Sequence, residues 1–305
     1  MLHVLLLLSL AGLSVSEFDH DLHAKYLQMP RDQFIQYFNS QNYTWKMADN
    51  PHIDESYHDC LKTDGIQLEN FEIRRYDPKL YGQLPENFDA RQKWANCDTI
   101  KDIFNQGPCG SCWAFATATV ASDRMCIEKG LTVRLSEQDF DCVRPICGGG
   151  NPSESFDYWQ DQGVVSSECR PYDIHSTDYC PRKCDNQSIN YQNDKHFAES
   201  FYIISSEEND IKFELFNHGP IFAGFTVYDD FRKYTSGVYI HQFGERLGEH
   251  AVRIIGYGVE NGVDYWLAAN SWGNMWGDKG TFKIKRYQNL LLPFESMLYT
   301  GHAMN

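Results

Sequence analysis

The stretch Gln106-Gly107-Pro108-Cys109-Gly110-Ser111-Cys112-Trp113-Ala114-Phe115 decides how the chain is read. A Gly/Pro loop runs straight into Ser111 to Cys126, which is Ala-rich and apolar on nearly every face, the pattern of a buried helix. Cys112 then falls in the first helical turn. Free N–H groups and the helix dipole favour an anion there and lower the pKa of a thiol. Three readings of Cys109-x-x-Cys112 stay open at this point: an activated nucleophile, a redox pair of thioredoxin type, or two structural cysteines. The redox pair belongs beside a βαβ unit, and none is visible. A nucleophile needs a base.

His250 supplies one. It opens the strand pattern that runs to Val259. Asn261-Gly262 is a hairpin signal, and the chain returns through Val263–Ala269 to Asn270. Pairing about that turn matches residues whose numbers sum to about 523. Asn270 therefore falls opposite about Arg253, roughly 10 Å short of His250 at strand rise. A modest bulge or a longer loop would close that gap. The Asn270 carbonyl can then hold the imidazole in one tautomer and leave its other nitrogen facing a thiol, and Cys112 and His250 are expected to rest as a thiolate–imidazolium pair. Thr281-Phe-Lys-Ile-Lys285 is a further strand with clean alternation, and 148–196 is acidic, polar and loop-rich. A helical half followed by a β half is an α+β arrangement.

The N-terminal part reads differently. Val4 to Leu13 is almost wholly apolar and is followed by Ser14-Val15-Ser16, the pattern of a signal peptide over 1–16, too short to span a bilayer. Residues 17–83 hold 12 acids, 7 bases and one cysteine, Cys60. Pro30 opens a short helix through Phe38 with Phe34, Ile35, Tyr37 and Phe38 as its apolar face. Residues 69–83 read as an exposed linker, expected to run along the cleft of the part that follows. A segment with so few core residues leans on the rest of the chain. Asn42 and Asn186 head glycosylation sequons.

The whole chain has 305 residues and a formal charge of −15, which argues against a nucleic-acid binder. Hydrophobic content of 42% excludes wholesale disorder, and ten cysteines fit an oxidising compartment.

With Cys112, His250 and Asn270 placed, the chain resembles the papain family of cysteine proteases, and within it the cathepsin B group. The marks are the Cys-Gly-Ser-Cys-Trp stretch, with His and Asn 138 and 158 residues beyond Cys112, Leu84-Pro-Glu-Asn-Phe-Asp-Ala-Arg91, Ser122-Asp-Arg124, Ser236-Gly-Val-Tyr239 and Asn270-Ser-Trp-Gly273. The resemblance implies two lobes, one helical and one β-barrel-like, with an inhibitory pro-segment over 17–83 and a mature peptidase over 84–305. It implies Cys112 as nucleophile, His250 as acid/base, Asn270 as orienter and Gln106 as oxyanion donor. Gly110, Gly149, Gly150, Ala251, Trp272 and Met297 take the positions that bind substrate, Met297 at the base of the S2 pocket. No cofactor or metal is implied. Implied partners are polypeptide substrates, the chain's own pro-segment and cystatin-like inhibitors, the enzyme being a monomer that engages neither nucleic acid nor membrane. The implied setting is the secretory pathway, ending in a lysosome-like compartment or outside the cell.

The resemblance also pairs Cys97 with Cys126, Cys109 with Cys147, Cys142 with Cys180 and Cys169 with Cys184, leaving Cys112 free and Cys60 unpaired. A zinc site at Cys169, His175, Cys180 and Cys184 is the rival reading. Three departures stand out. The Cys169–Cys184 loop encloses 14 residues with one histidine, His175, where cathepsin B has a long occluding loop with two adjacent histidines. Glu249 replaces the glycine before the catalytic histidine, and is expected to raise the His250 pKa. Gly148 stands for the Asn of Cys-Asn-Gly-Gly. The expectation is an endopeptidase made as a zymogen, against the alternative of a catalytically silent binding protein.

Overall fold

A computed structural model describes residues 18–50, 60–63, 71–177 and 179–304. The signal reading of 1–16 lies outside the described residues. Two large apolar cores and a small satellite around Val165, Cys169 and Tyr191 build the described part of the molecule. The first surrounds helix α4, Cys112–Lys129, which is buried on every side from Cys112 to Cys126 and stops at Gly130 with φ +67°. Its hydroxyls survive burial by bonding back along the helix: Thr117 donates to Trp113 O at 2.9 Å and Ser122 to Ala118 O at 2.7 Å. Helix α5, Pro152–Asp161, packs Phe156 and Trp159 into the same core. It lies inside the stretch expected to be loops. Asn151 caps it by accepting from Ser153 N–H, and Pro152 opens its first turn, a start signal that the polar composition masks.

The second core is built on the sheet, which runs from β1 (Trp45–Met47) at one edge to β2 (Ile73–Arg74) at the other in the order β1-β6-β9-β8-β7-β5-β10-β4-β2, with β3 (Phe88–Asp89) paired to β7 off this path. Its central strands are β5 (Ile221–Tyr228), β7 (Arg246–Glu260), β8 (Val263–Ala269) and β9 (Thr281–Lys285), with β6 (Tyr234–Tyr239), β10 (Leu298–Ala303) and β4 (Ala198–Ile204) outside them. Buried ion pairs bolt α4 to this half. Arg124 meets Glu214 of helix α6 (Glu208–Asn217), and Arg253 of β7 meets Asp123, each at 2.7 Å. The arrangement is α+β.

The N-terminal segment supplies both ends of the sheet. Helix α1 (His20–Gln28), which the sequence reading did not anticipate, and helix α2 (Arg31–Ser40) lead to β1 (Trp45–Met47), which pairs antiparallel with β6. Leu22, Phe34, Phe38, Trp45 and Met47 are buried in the second core beside Tyr239 and Phe243. Farther on, β2 (Ile73–Arg74) pairs parallel with β4. Tyr81 then donates to Asp210 at 2.6 Å, and Tyr76 bonds Glu214. The expectation that the linker runs along the cleft is corrected: residues 71–83 run beside the sheet edge and α6, because their aromatics find partners there.

Candidate active site

The β7–β8 hairpin turns at Asn261 and Gly262, with φ +51° and +80°. Next to the turn Glu260 pairs with Val263 and Gly256 with Leu267, both summing to 523. Beyond a bulge at Ile255 the register becomes Ile254 with Ala268 and Arg253 with Ala269, summing to 522. The bulge carries Asn270 one residue nearer His250. His250 Nε2 donates to Asn270 Oδ1 at 2.7 Å, and Ser271 N–H donates to the same oxygen at 2.8 Å. The imidazole is thereby held with Nδ1 facing the cleft. The Trp272 ring lies 4.9 Å from the His250 ring and shields the contact from water.

Across the cleft Cys112 begins α4, and Ala251 N–H donates to its sulfur at 3.2 Å. Gln106 is buried. Ser271 Oγ donates to Gln106 Oε1 at 2.6 Å, and Gln106 Nε2 donates to Cys109 O at 2.9 Å, which fixes the amide beside the sulfur. Tyr172, missed in the sequence, steadies this corner: its hydroxyl donates to Gln106 O at 2.7 Å and lies 2.6 Å from Ser111 Oγ.

Cys112 is not free. It is bonded to Cys60, and all ten cysteines are paired. The remaining bridges are Cys97–Cys126, Cys109–Cys147, Cys142–Cys180 and Cys169–Cys184. Cys109 is tied to Cys147 and not to Cys112, so the two do not form a redox pair. The thiols of the rival zinc reading are likewise spent in bridges. The fifth bond brings two corrections. Cys60 is not unpaired, because residues 60–62 are strapped between the lobes. Cys60 and Leu61 N–H both donate to Glu249 O at 3.1 Å, Gly150 N–H donates to Cys60 O at 3.1 Å, and Lys62 N–H donates to Gly150 O at 2.8 Å. Nor is there a thiolate–imidazolium pair in this state. Burial depresses the His250 pKa to about 4, against a smaller opposing effect of the Asn270 hydrogen bond, so the imidazole is neutral.

The glycines of the cleft wall leave no room for side chains. Gly110 carries its chain past Cys147 O, where a Cβ would sit 2.6 Å away, and a side chain at Gly150 would collide with the Trp113 ring. Gly149 has φ +73° and faces Cys60 O and Lys62. Met297 is buried in one cluster with Leu61, Cys60 and Ala251. A side chain at Gly224 would strike both Leu61 and Met297, so Gly224 is a wall of the pocket that holds Leu61. Nothing in a single sequence marks it.

Glu249 behaves differently from the expectation. Its carboxylate accepts from Thr226 Oγ1 at 2.8 Å and pairs with Arg246 at 2.8 Å, on the strand face opposite His250. We therefore expect Glu249→Gln to leave the alkaline limb of the rate profile unmoved. A downward shift of that limb in the variant would show that the carboxylate reaches the imidazole.

Residues 84–301 match the family described as papain family cysteine protease, and the chain belongs to that family. It is 42% identical to cathepsin B of Dictyostelium discoideum over 232 residues, 70% of this chain and 74% of that one. It is 37% identical to cathepsin B-like cysteine proteinase 3 of Caenorhabditis elegans over 321 residues, 93% and 86% of the two chains. The fold matches proCathepsin B S9 from Trypanosoma congolense with a TM-score of 0.80 at 32% identity, over 91% of this chain and 99% of that one. The chain is a cathepsin B-like cysteine peptidase, and the structures it resembles include proenzymes.

Proposed function

We propose that residues 84–305 are a cysteine endopeptidase kept latent by residues 17–83, and that residues 1–16 send it into the secretory pathway, to an acidic compartment or outside the cell. No helix among the described residues is long and apolar enough to cross a membrane, and both sequon residues, Asn42 and Asn186, are exposed. The observation that carries the catalytic reading is the convergence at one point of a helix-N-terminal sulfur, an imidazole oriented by Asn270 and the Gln106 amide. With Cys112 released as a thiolate, its sulfur attacks the peptide carbonyl. The oxyanion takes hydrogen bonds from Gln106 Nε2 and Cys112 N–H. Imidazolium His250 gives its proton to the departing amine, leaving a thioester, and neutral His250 then takes a proton from the water that hydrolyses it.

The non-primed pocket is apolar, walled by Gly224 and Met297 and filled by Leu61. On the other side the short loop is pinned at both ends by Cys169–Cys184 and split by Cys142–Cys180, with Tyr172 held against Gln106 and His175 exposed. Such a loop does not reach across the cleft to claim a terminal carboxylate. Quenched peptides with amidated and free C-termini, carrying Leu or Arg at P2, test both points. Cleavage should be similar for the two termini, and Leu should exceed Arg by on the order of 10-fold or more, since the Gly224 and Met297 walls carry no charge and the Glu249 carboxylate on the same strand face as Ala251 is already paired with Arg246. Release of C-terminal dipeptides as the main product would refute the endopeptidase reading. Efficient cleavage with Arg at P2 would refute the pocket assignment.

A further inference from the structure

The Cys60–Cys112 bond joins the N-terminal segment covalently to the atom on which the proposed chemistry depends. Neither cysteine has any exposed surface. Cys60 Sγ lies 3.3 Å from His250 Nδ1 and 4.0 Å from Gln106 Nε2. It therefore stands where a substrate's carbonyl carbon would be attacked, facing the base on one side and the oxyanion donor on the other. Four backbone hydrogen bonds, two to Glu249 O and one each way with Gly150, hold residues 60–62 on both walls of the cleft.

We propose that Cys60 is a redox cap on the nucleophile, so that the zymogen is unlocked only when a thiol reductant opens this bond. The inference rests on the reading of Cys112 as nucleophile and adds to it a site of thiol–disulfide exchange. A small-molecule or protein thiol, ionised to RS⁻, attacks Cys60 Sγ. The S–S bond breaks, and its electron pair leaves on Cys112 Sγ as a thiolate, in the first turn of α4 with the Ala251 N–H directed at it. Cys60 now carries the mixed disulfide with R. A second RS⁻ attacks the sulfur of R, giving RSSR and a Cys60 thiolate, and the two protons released by the thiols are taken up by the freed cysteines or by solvent. Two thiols are oxidised and one disulfide is reduced, a two-electron exchange.

The fold sets the direction. Cys112 is the better leaving group because a helix N-terminus stabilises its anion, so the incoming thiol resides on Cys60 and the nucleophile is the sulfur set free. Because both sulfurs are buried, the strap must lift before a reductant can reach them. Opening of the segment and reduction are successive conditions, and neither suffices alone. Proteolysis in the linker does not substitute for reduction, since the piece containing Cys60 stays bonded to Cys112 after the chain is cut between the two.

The test uses the full-length zymogen, secreted from cells with an oxidising secretory pathway and purified without reductant. Peptide mapping under non-reducing conditions should find a Cys60–Cys112 cross-linked peptide. In mild acid, an epoxide thiol inhibitor should label Cys112 on the order of 100-fold more slowly without dithiothreitol than with it, because only the thiolate reacts. In Cys60→Ser the two rates should be equal, and the cut segment should separate without reductant. Free thiols at Cys60 and Cys112 in the purified zymogen, or equal labelling of the wild type with and without thiol, would overturn the cap. The mapping result stands even where Cys60→Ser fails to fold. A cross-link found in a protein that hydrolyses no peptide after cutting and reduction would instead overturn the peptidase reading while leaving the cap in place.

Discussion

Cys112→Ser should lose peptide hydrolysis by on the order of 10⁴-fold or more while remaining folded. A serine hydroxyl at the start of α4 is not ionised by a helix N-terminus, and His250 held by Asn270 is placed to work with a thiolate. The substitution also removes the cross-link to Cys60, which closes a separation of 52 residues. Chain entropy assigns such a loop a contribution of about 4 kcal/mol. Cys112→Ser and Cys60→Ser should therefore melt at the same lowered temperature, and only Cys112→Ser should be inactive after linker cleavage in the presence of thiol. Measured hydrolysis within about 100-fold of wild type would remove Cys112 from its role.

Trp45→Ala should undo latency in the presence of thiol. The Trp45 ring is buried against Phe38 and Tyr239, at 4.6 and 5.3 Å, and its indole N–H donates to Ile240 O at 3.0 Å. It is the side chain that seats β1 against β6. Emptying that site costs about 3–5 kcal/mol, enough to weaken docking of the segment by on the order of 10²- to 10⁴-fold. Epoxide labelling of Cys112 in the reduced zymogen at neutral pH should accelerate accordingly, and an unchanged rate would show that the cleft strap holds alone. Acid acts in the same direction. The closed state keeps His250 neutral, its pKa lowered from 6.5 to about 4 by burial. An open cleft hydrates the imidazole and lets it take a proton. Between pH 6.5 and about 4 the open state thus binds more protons, and docking weakens as the pH falls through that window. Trp45→Ala should move acid release to higher pH.

The readable parts of this chain are those written in local pattern. The buried helix from Cys112, the Asn261-Gly262 hairpin and the alternation of Thr281–Lys285 each rest on neighbours in sequence, and the structure places all three where the pattern does. Helix α5 is legible in its Asn-Pro start, but the polar composition around it hides that signal. The bulge at Ile255 is what lets Asn270 reach His250, yet nothing local announces it. It settles how two strands shed one residue of register around Gly256, whose missing side chain leaves room for the Phe88 carbonyl. Glu249 misleads for a related reason. Adjacent residues in a strand point to opposite faces, and which charged partner waits on each face is a matter of other strands.

By itself the sequence determined the class of chemistry: a sulfur at a helix start, an imidazole, an amide to orient it and a family whose motifs surround them. Their types and spacings are local, and local features survive in a string of letters. Only the tertiary structure decided what Cys60 does, where the linker lies and which glycine walls the pocket of Leu61. Each of those depends on chain segments far apart in sequence meeting in space, across 52 residues for Cys60 and Cys112 and across 190 for Cys60 and His250. No periodicity spans such distances. They are set when the apolar residues of α1, α2 and β1 are buried in the second core, with β2 seated on the far edge of the sheet. Between those two anchors residues 60–62 are held in the cleft, bringing one thiol against another.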